Sequence, residues 1–281
     1  MSYQQYRPTS FKVLPLVVKN LLIINGLFFL ATWVFQNQYE IDLTTYLGLH
    51  YFSSQYFRPY QLITYMFMHG GFDHLFFNMF ALWMFGNALE NFWGPKRFLI
   101  FYMATGIGAA LIYMGYQSFQ YFRVDMAVND FLNNPIPEEY YSLVKKYFSS
   151  YLDIPQNQSE IDLFVSQWSH DLGNKMYSQH ALNDINQLVS FQKDNPMIGA
   201  SGAVFGILLA FGMLFPNTLL YVYFLIPIKA KWFVILYGVA ELYSGIANNP
   251  GDNVAHFAHL GGMLIGFVLI KYWQKKNKSF Y

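Results

Sequence analysis

The stretch 198–215, IGASGAVFGILLAFGMLF, is apolar over nearly a membrane-spanning length, yet it opens with a hydroxyl, Ser201, set among glycine and alanine. Two readings of Ser201 stand side by side. It is a small residue that lets two helices pack closely, or a nucleophile that needs room around it.

The rest of the chain has the composition of a membrane protein. Only 12% of the 281 residues are charged, 54% are hydrophobic and 21% are aromatic. A soluble domain carries about 25% charged residues. A rule of about 20 mostly apolar residues per crossing predicts six spanning helices, over 14–35, 74–93, 98–116, 198–215, 232–245 and 254–273. The fifth has an alternative earlier start, in a mixed stretch broken by Pro227. The expected fold class is all-α, a polytopic six-helix bundle, and the whole of 1–281 reads as one membrane domain. The first residues lack the pattern of a cleaved secretory signal, so the first apolar run is expected to stay as an anchor. A net charge of +1 gives no reason to expect nucleic acid, and the absence of cysteine removes disulfides and thiolate metal sites.

Basic residues set the expected orientation. Arg7, Lys12 and Lys19 precede or open the first segment, Lys96 and Arg97 follow the second, Lys229 and Lys231 precede the fifth, and Lys271, Lys275, Lys276 and Lys278 end the sixth. The short loop 246–253 between the last two segments has no Lys or Arg. Six crossings then place both termini in the cytoplasm. Between the third and fourth helices lies a polar insertion, 120–196, whose apolar residues recur at helical spacing, predicting a small helical cap on the outer face.

Polar groups within a span are costly and often functional. Measured from the cytoplasmic end of each helix, Ser201 lies about 21 Å deep, Asn78 about 22 Å and His259 about 18 Å. These three residues therefore share one layer below the outer surface. Gly202 and Gly206 form one G-x-x-x-G, and Gly262 and Gly266 another on the face of His259. Such spacing brings helix backbones together in lipid. If these two helices pack on one another, His259 comes within reach of Ser201.

Imidazole suits the proton transfer that a serine nucleophile needs. The Ser201 N–H and the side chains of His74 and Asn78, four residues apart on one helical face, are candidate donors to an oxyanion. Glu241 reads as mid-helix and Asp252 as loop, so no acid is expected to orient His259, and a Ser-His pair is preferred to a triad. His69 and His256 read as interfacial, and His50, His170 and His180 as solvated loop residues. Non-catalytic binding of membrane clients and metal chemistry at His69, His74, His256 and His259 are the competing function classes. No cofactor or metal is expected.

Three stretches carry a family resemblance: MFMHGGFDHLFFNMFALWMFGNALENFWGPKRF (66–98), GASGAVFG (199–206) and AHFAHLGGMLIGF (255–267). The chain resembles the rhomboid intramembrane serine proteases, whose H-x-x-x-N, G-x-S-G and A-H-x-x-G segments these match in order. The resemblance implies Ser201 as nucleophile, His259 as general base, and His74 and Asn78 as oxyanion side chains. Glu90, Gly94 and Arg97 match an element read as structural. The implied partners are the lipid bilayer and transmembrane protein substrates, single-pass proteins cut near the outer boundary of the cell membrane. In two places the sequence departs from the family. Tyr60-Gln61 stands where the family often has Trp-Arg, and the insertion replaces a short loop, so it is expected to restrict substrate entry.

Overall fold

The computed structural model describes residues 12–222, 225–247 and 254–276. Arg7, Lys278, Asp252 and most of the loop 246–253 lie outside them.

The chain is mostly helical. It opens with α1 (Leu16–Tyr39), then the short α2 (Leu43–Leu47) and α3 (Gln61–Thr64), the latter continuing into a 3-10 turn over Tyr65–Phe67. The second apolar segment is built in three pieces: α4 (Phe72–Ala81), a π turn over Leu82–Gly86, and α5 (Asn87–Trp93). Gly94 then turns the chain at φ +80, and α6 (Pro95–Asn133) starts on a proline, whose missing N–H costs nothing in a first turn. The third apolar segment thus does not stop near 116 but runs on as one helix of 39 residues. The segment 98–133 holds no proline, and Gly115 stays inside the helix, so the polar residues after Tyr116 simply extend it.

The insertion is helical, as its periodicity predicts: α7 (Pro137–Tyr147), α8 (Ser149–Leu152), α9 (Pro155–His170) and α10 (Lys175–Asp194). These helices close on the C-terminal third of α6 around their own core. Val124 and Phe131 of α6 meet Tyr140, Val144, Trp168 and Ile185 there.

After the insertion come α11 (Ser201–Leu214), strands β1 (Leu219–Val222) and β2 (Ile226–Lys229), α12 (Ala230–Ala247) and α13 (His256–Lys276). The antiparallel β1–β2 hairpin is a correction to the all-α expectation and to an early start for the fifth helix. Pro227 cannot donate to a helix and pairs opposite Tyr221, in a stretch rich in branched and aromatic residues. By length and composition α1 and α6 are able to cross a membrane, and α11 is a shorter apolar helix.

The centre of the body is α11, held between α6 and α13. A Cβ on Gly202 would sit 2.6 Å from Ala109 Cβ of α6, and one on Gly206 2.7 Å from Thr105. A Cβ on Gly262 would fall 1.8 Å from the Gly202 carbonyl oxygen, and one on Gly266 3.3 Å from that of Gly206. The two G-x-x-x-G motifs therefore do meet, with α13 resting its glycines on the α11 backbone. At the end of the body where α1 starts, Glu90 is buried, and its two carboxylate oxygens accept the Val17 and Val18 N–H groups at 2.9 and 2.8 Å. That carboxylate caps α1, where the first N–H groups have no partner within the helix.

Replacing Gly262 by alanine is expected to force α11 and α13 apart. Overpacking of this kind costs about 1–3 kcal/mol, measurable as a lower unfolding temperature in detergent. The same change at Gly26, which has nothing within 4 Å of its Cβ position, is expected to leave that temperature unchanged.

Candidate active site

Ser201 is the first residue of α11, with Ala200 as its cap. The chain arriving there is fixed from both sides. Leu49 and Met197 exchange backbone hydrogen bonds at 2.9 and 2.8 Å, and the Gly199 N–H donates to the Tyr65 carbonyl at 2.9 Å. Gly199 adopts φ +123, which residues with side chains rarely accept. A Cβ there would also lie 2.8 Å from His74 Nε2 and 3.7 Å from Ser201 Oγ. The motif needs its first glycine for conformation and for space, and the spared space is the ground between His74 and Ser201.

His259 is buried on the first turn of α13, and three contacts hold its ring. The Ser201 hydroxyl and His259 Nε2 are 2.8 Å apart. His259 Nδ1 and Glu241 Oε2 are also 2.8 Å apart. The ring stacks on Phe205 of α11, one turn beyond Ser201, at 4.1 Å and 6°. An ionised carboxylate only accepts hydrogen bonds. The proton of neutral His259 therefore sits on Nδ1, leaving Nε2 to accept from Ser201.

Glu241 overturns the expectation that no acid is placed to orient His259. Its carboxylate is buried on α12 and receives a second imidazole as well, His256 Nδ1 at 2.7 Å. His256 is thus a hydrogen-bonded neighbour of the site rather than an interfacial residue. A carboxylate inside an otherwise apolar helix was the available signal.

His74 and Asn78 stand one turn apart on α4, and His74 lies against Gly199. The Asn78 amide donates to the His74 carbonyl at 2.8 Å and carries a second hydrogen. The Gly70 N–H approaches His74 Nδ1 at 3.4 Å, which leaves Nε2 as the atom facing Gly199. His69 is buried with its ring 5.0 Å from that of His74, so it too is not interfacial. His50 is buried, its Nε2 2.8 Å from the Thr45 carbonyl, against the expectation of a solvated residue. His170 and His180 are exposed as expected.

The place of Tyr60-Gln61 in the first loop is filled by a different device from a charged anchor. Gln61 is fully buried and acts as a four-way clamp. Its Oε1 accepts the His50 and Arg58 N–H groups, and its Nε2 donates to the Tyr46 and Tyr56 carbonyls. A neutral amide thus ties the loop through backbone groups alone.

Among the metal-binding residue types, the donors that converge among the described residues are those of Glu241, His256 and His259. This differs from the four-histidine set drawn from the sequence.

The chain is 25% identical over 266 residues to "RHOMBOID-like protein 12, mitochondrial" of Arabidopsis thaliana, covering 94% of this chain and 59% of that protein. It is 42% identical over 52 residues to "Rhomboid protease GluP" of Bacillus subtilis (strain 168), 18% of this chain and 10% of that one. It is 44% identical over 48 residues to "Putative rhomboid protease YdcA" of the same organism, 17% of this chain and 24% of that one. The chain therefore spans about three fifths of the length of its Arabidopsis relative and less of the two bacterial ones. The profile of the rhomboid domain matches residues 56–126 and 177–275, passing over the middle of the insertion. With more than half of its residues matched to that domain, the chain belongs to the rhomboid family.

Proposed function

We propose that the chain is an intramembrane serine endopeptidase. The observation that carries this reading is the 2.8 Å contact between Ser201 Oγ and His259 Nε2, inside helices built for lipid. Ser201 attacks the substrate carbonyl as His259 Nε2 takes its proton, forming a tetrahedral oxyanion. The Ser201 N–H, at the start of its helix, and the side chains of His74 and Asn78 donate to that oxyanion. His259 then returns the proton to the leaving amine. A water molecule, deprotonated by the same imidazole, releases the acylated fragment. Glu241 touches no reacting atom in this scheme. It positions His259, fixes the proton on Nδ1 and stabilises the imidazolium that forms, completing a Ser-His-Glu chain in place of a bare pair.

The setting fits six crossings with both termini cytoplasmic and the site opening outward. The substrates are single-pass membrane proteins, cut near the outer boundary of the membrane. Unwound segments are favoured, because a helix hides its carbonyls in its own hydrogen bonds. A mitochondrial protein among the relatives leaves two membranes for this topology, and the charge pattern fits a cell membrane. The insertion is read as a cap that restricts substrate entry. Its helices and the outer ends of α6 and α13 enclose a cavity of about 1600 Å³ that reaches His256.

Ser201→Ala and His259→Ala are each expected to abolish cleavage of single-span substrates in bilayers with unfolding temperature retained, and Ser201→Ala to end labelling by a fluorophosphonate. Folded Ser201→Ala protein that still cleaves would sink the reading.

Glu241→Gln is expected to lower kcat by about 10²–10⁴-fold with little change in KM, and Glu241→Asp to recover part of it. Equal losses in the two variants, carried by KM, would assign Glu241 to packing instead.

Replacing residues 121–194 by a short flexible linker is expected to admit substrates that the intact chain rejects. Unchanged rates across a substrate panel would remove the cap role.

A further inference from the structure

We infer that Glu241, His256 and His259 form a zinc-type metal site, and that filling it switches off the base. The donor atoms of the three residues lie within 4.8 Å of one another. Both imidazoles point Nδ1 at the same carboxylate oxygen, at 2.7 and 2.8 Å. Two histidines three residues apart share one face of α13, and the carboxylate comes from the neighbouring helix, so the donors surround a point from two directions. Two nitrogens and one carboxylate oxygen are a donor set that zinc accepts, with a fourth position for water. Calcium and magnesium prefer oxygen alone. Around a tetrahedral ion with bonds of about 2.0 Å, donors stand about 3.3 Å apart. Each ring moves its one proton from Nδ1 to Nε2 and offers the freed Nδ1 lone pair to the ion, so the two N–O pairs spread by about half an ångström.

The site also has a way in. Glu241 and His259 are buried, whereas His256 is part-exposed and lines the wide cavity under the insertion, beside Tyr116, Ser244 and Phe257. His256 is thus the ligand an ion from the outer side meets first.

The consequence for chemistry follows from where the imidazole keeps its proton, and it rests on the proposed hydrolase reading. With Glu241 as partner, the proton is on Nδ1 and Nε2 accepts from Ser201. With an ion on Nδ1, the remaining proton of the neutral ring moves to Nε2. That atom then has no lone pair for the serine proton. The base is disabled in place, with no helix displaced.

The test uses the full chain purified in detergent, stripped with chelator. Titration with Co²⁺ as a spectroscopic probe is expected to show one tight site per chain, with the visible absorption of a four-coordinate ion, displaced by Zn²⁺. Binding is measured on Ser201→Ala protein, so that it does not depend on turnover. His256→Gln, which keeps a donor to Glu241, and His256→Phe are expected to weaken this site by about 10- to 100-fold or more. His180→Ala, which breaks the exposed His180–Asp184 pair, should not weaken it. On the Ser201 chain, Zn²⁺ is expected to slow fluorophosphonate labelling and chelator to restore it. The half-inhibitory concentration should rise in the His256 variants, each referred to its own zinc-free rate. Cobalt bound equally well by both His256 variants, or labelling indifferent to saturating Zn²⁺, overturns the inference. If stripped protein is never labelled, the hydrolase reading fails, and the cobalt titration alone still decides the metal site.

Discussion

The contact on which the rest depends is backbone against backbone, where Gly262 of α13 rests on the Gly202 carbonyl of α11. Lipid offers helices no hydrophobic reason to associate, so the close approach must be made by residues without bulk. The approach fixes chemistry because the polar residues sit one turn away. Ser201 precedes Gly202, and His259 stands three residues before Gly262, on the same face. Once the glycines touch, hydroxyl and imidazole have only 2.8 Å between them. The third side of α11 is closed by Ala109 and Thr105 of α6, again through small groups. The helix bearing Ser201 is therefore held between two neighbours with little freedom to slide.

A buried carboxylate in an apolar helix would be ruinous alone, since charge leaves water only at a cost of several kcal/mol. Glu241 is retained because two imidazole N–H groups meet it. The same bonds tie the C-terminal part of α12 to the first turn of α13. A polar interaction thus joins a helix whose outward face is otherwise apolar, with Leu236, Val239, Leu242 and Tyr243 all exposed. Glu90 solves the same problem at the opposite end of the body, exchanging water for the unpaired N–H groups of α1. Each buried acid marks a joint between helices.

Much of this was legible in the sequence, because membrane spans obey simple rules. Helix length against bilayer thickness put Ser201, Asn78 and His259 at one depth, and the glycine spacing gave the face on which α13 packs. Glu241 was not legible in the same way, although the depth rule applies to it. It lies six residues before the outer end of α12, about 9 Å, and His259 three residues inside the outer end of α13, about 5 Å. Their side chains meet at nearly one level because the two helices run in opposite senses. The label "mid-helix" hid this, since the rotation of α12 cannot be read from an even apolar pattern. His50 and Gln61 escaped for a related reason. Loop residues are assumed to be wet, and here a loop is buried through hydrogen bonds to its own backbone, a pattern that leaves no periodicity.

The length of α6 changes how the insertion is to be understood. At 1.5 Å per residue its 39 residues span about 58 Å, nearly twice the roughly 30 Å of hydrocarbon. Its N-terminal part presses Thr105 and Ala109 against the glycines of α11, and its C-terminal part supplies Val124 and Phe131 to the core of the insertion. The insertion is thus mounted on the rod that helps to position Ser201. Its return leg is tied as well, because Ser54 donates to Asp194 at 2.6 Å and the Tyr51 N–H to the Lys193 carbonyl at 3.4 Å. A segment fixed at both ends, with its own packed core, does not behave as a loose loop over the site. The wall of the cavity that reaches His256 and the helix packed against the glycines of α11 are thus one and the same α6.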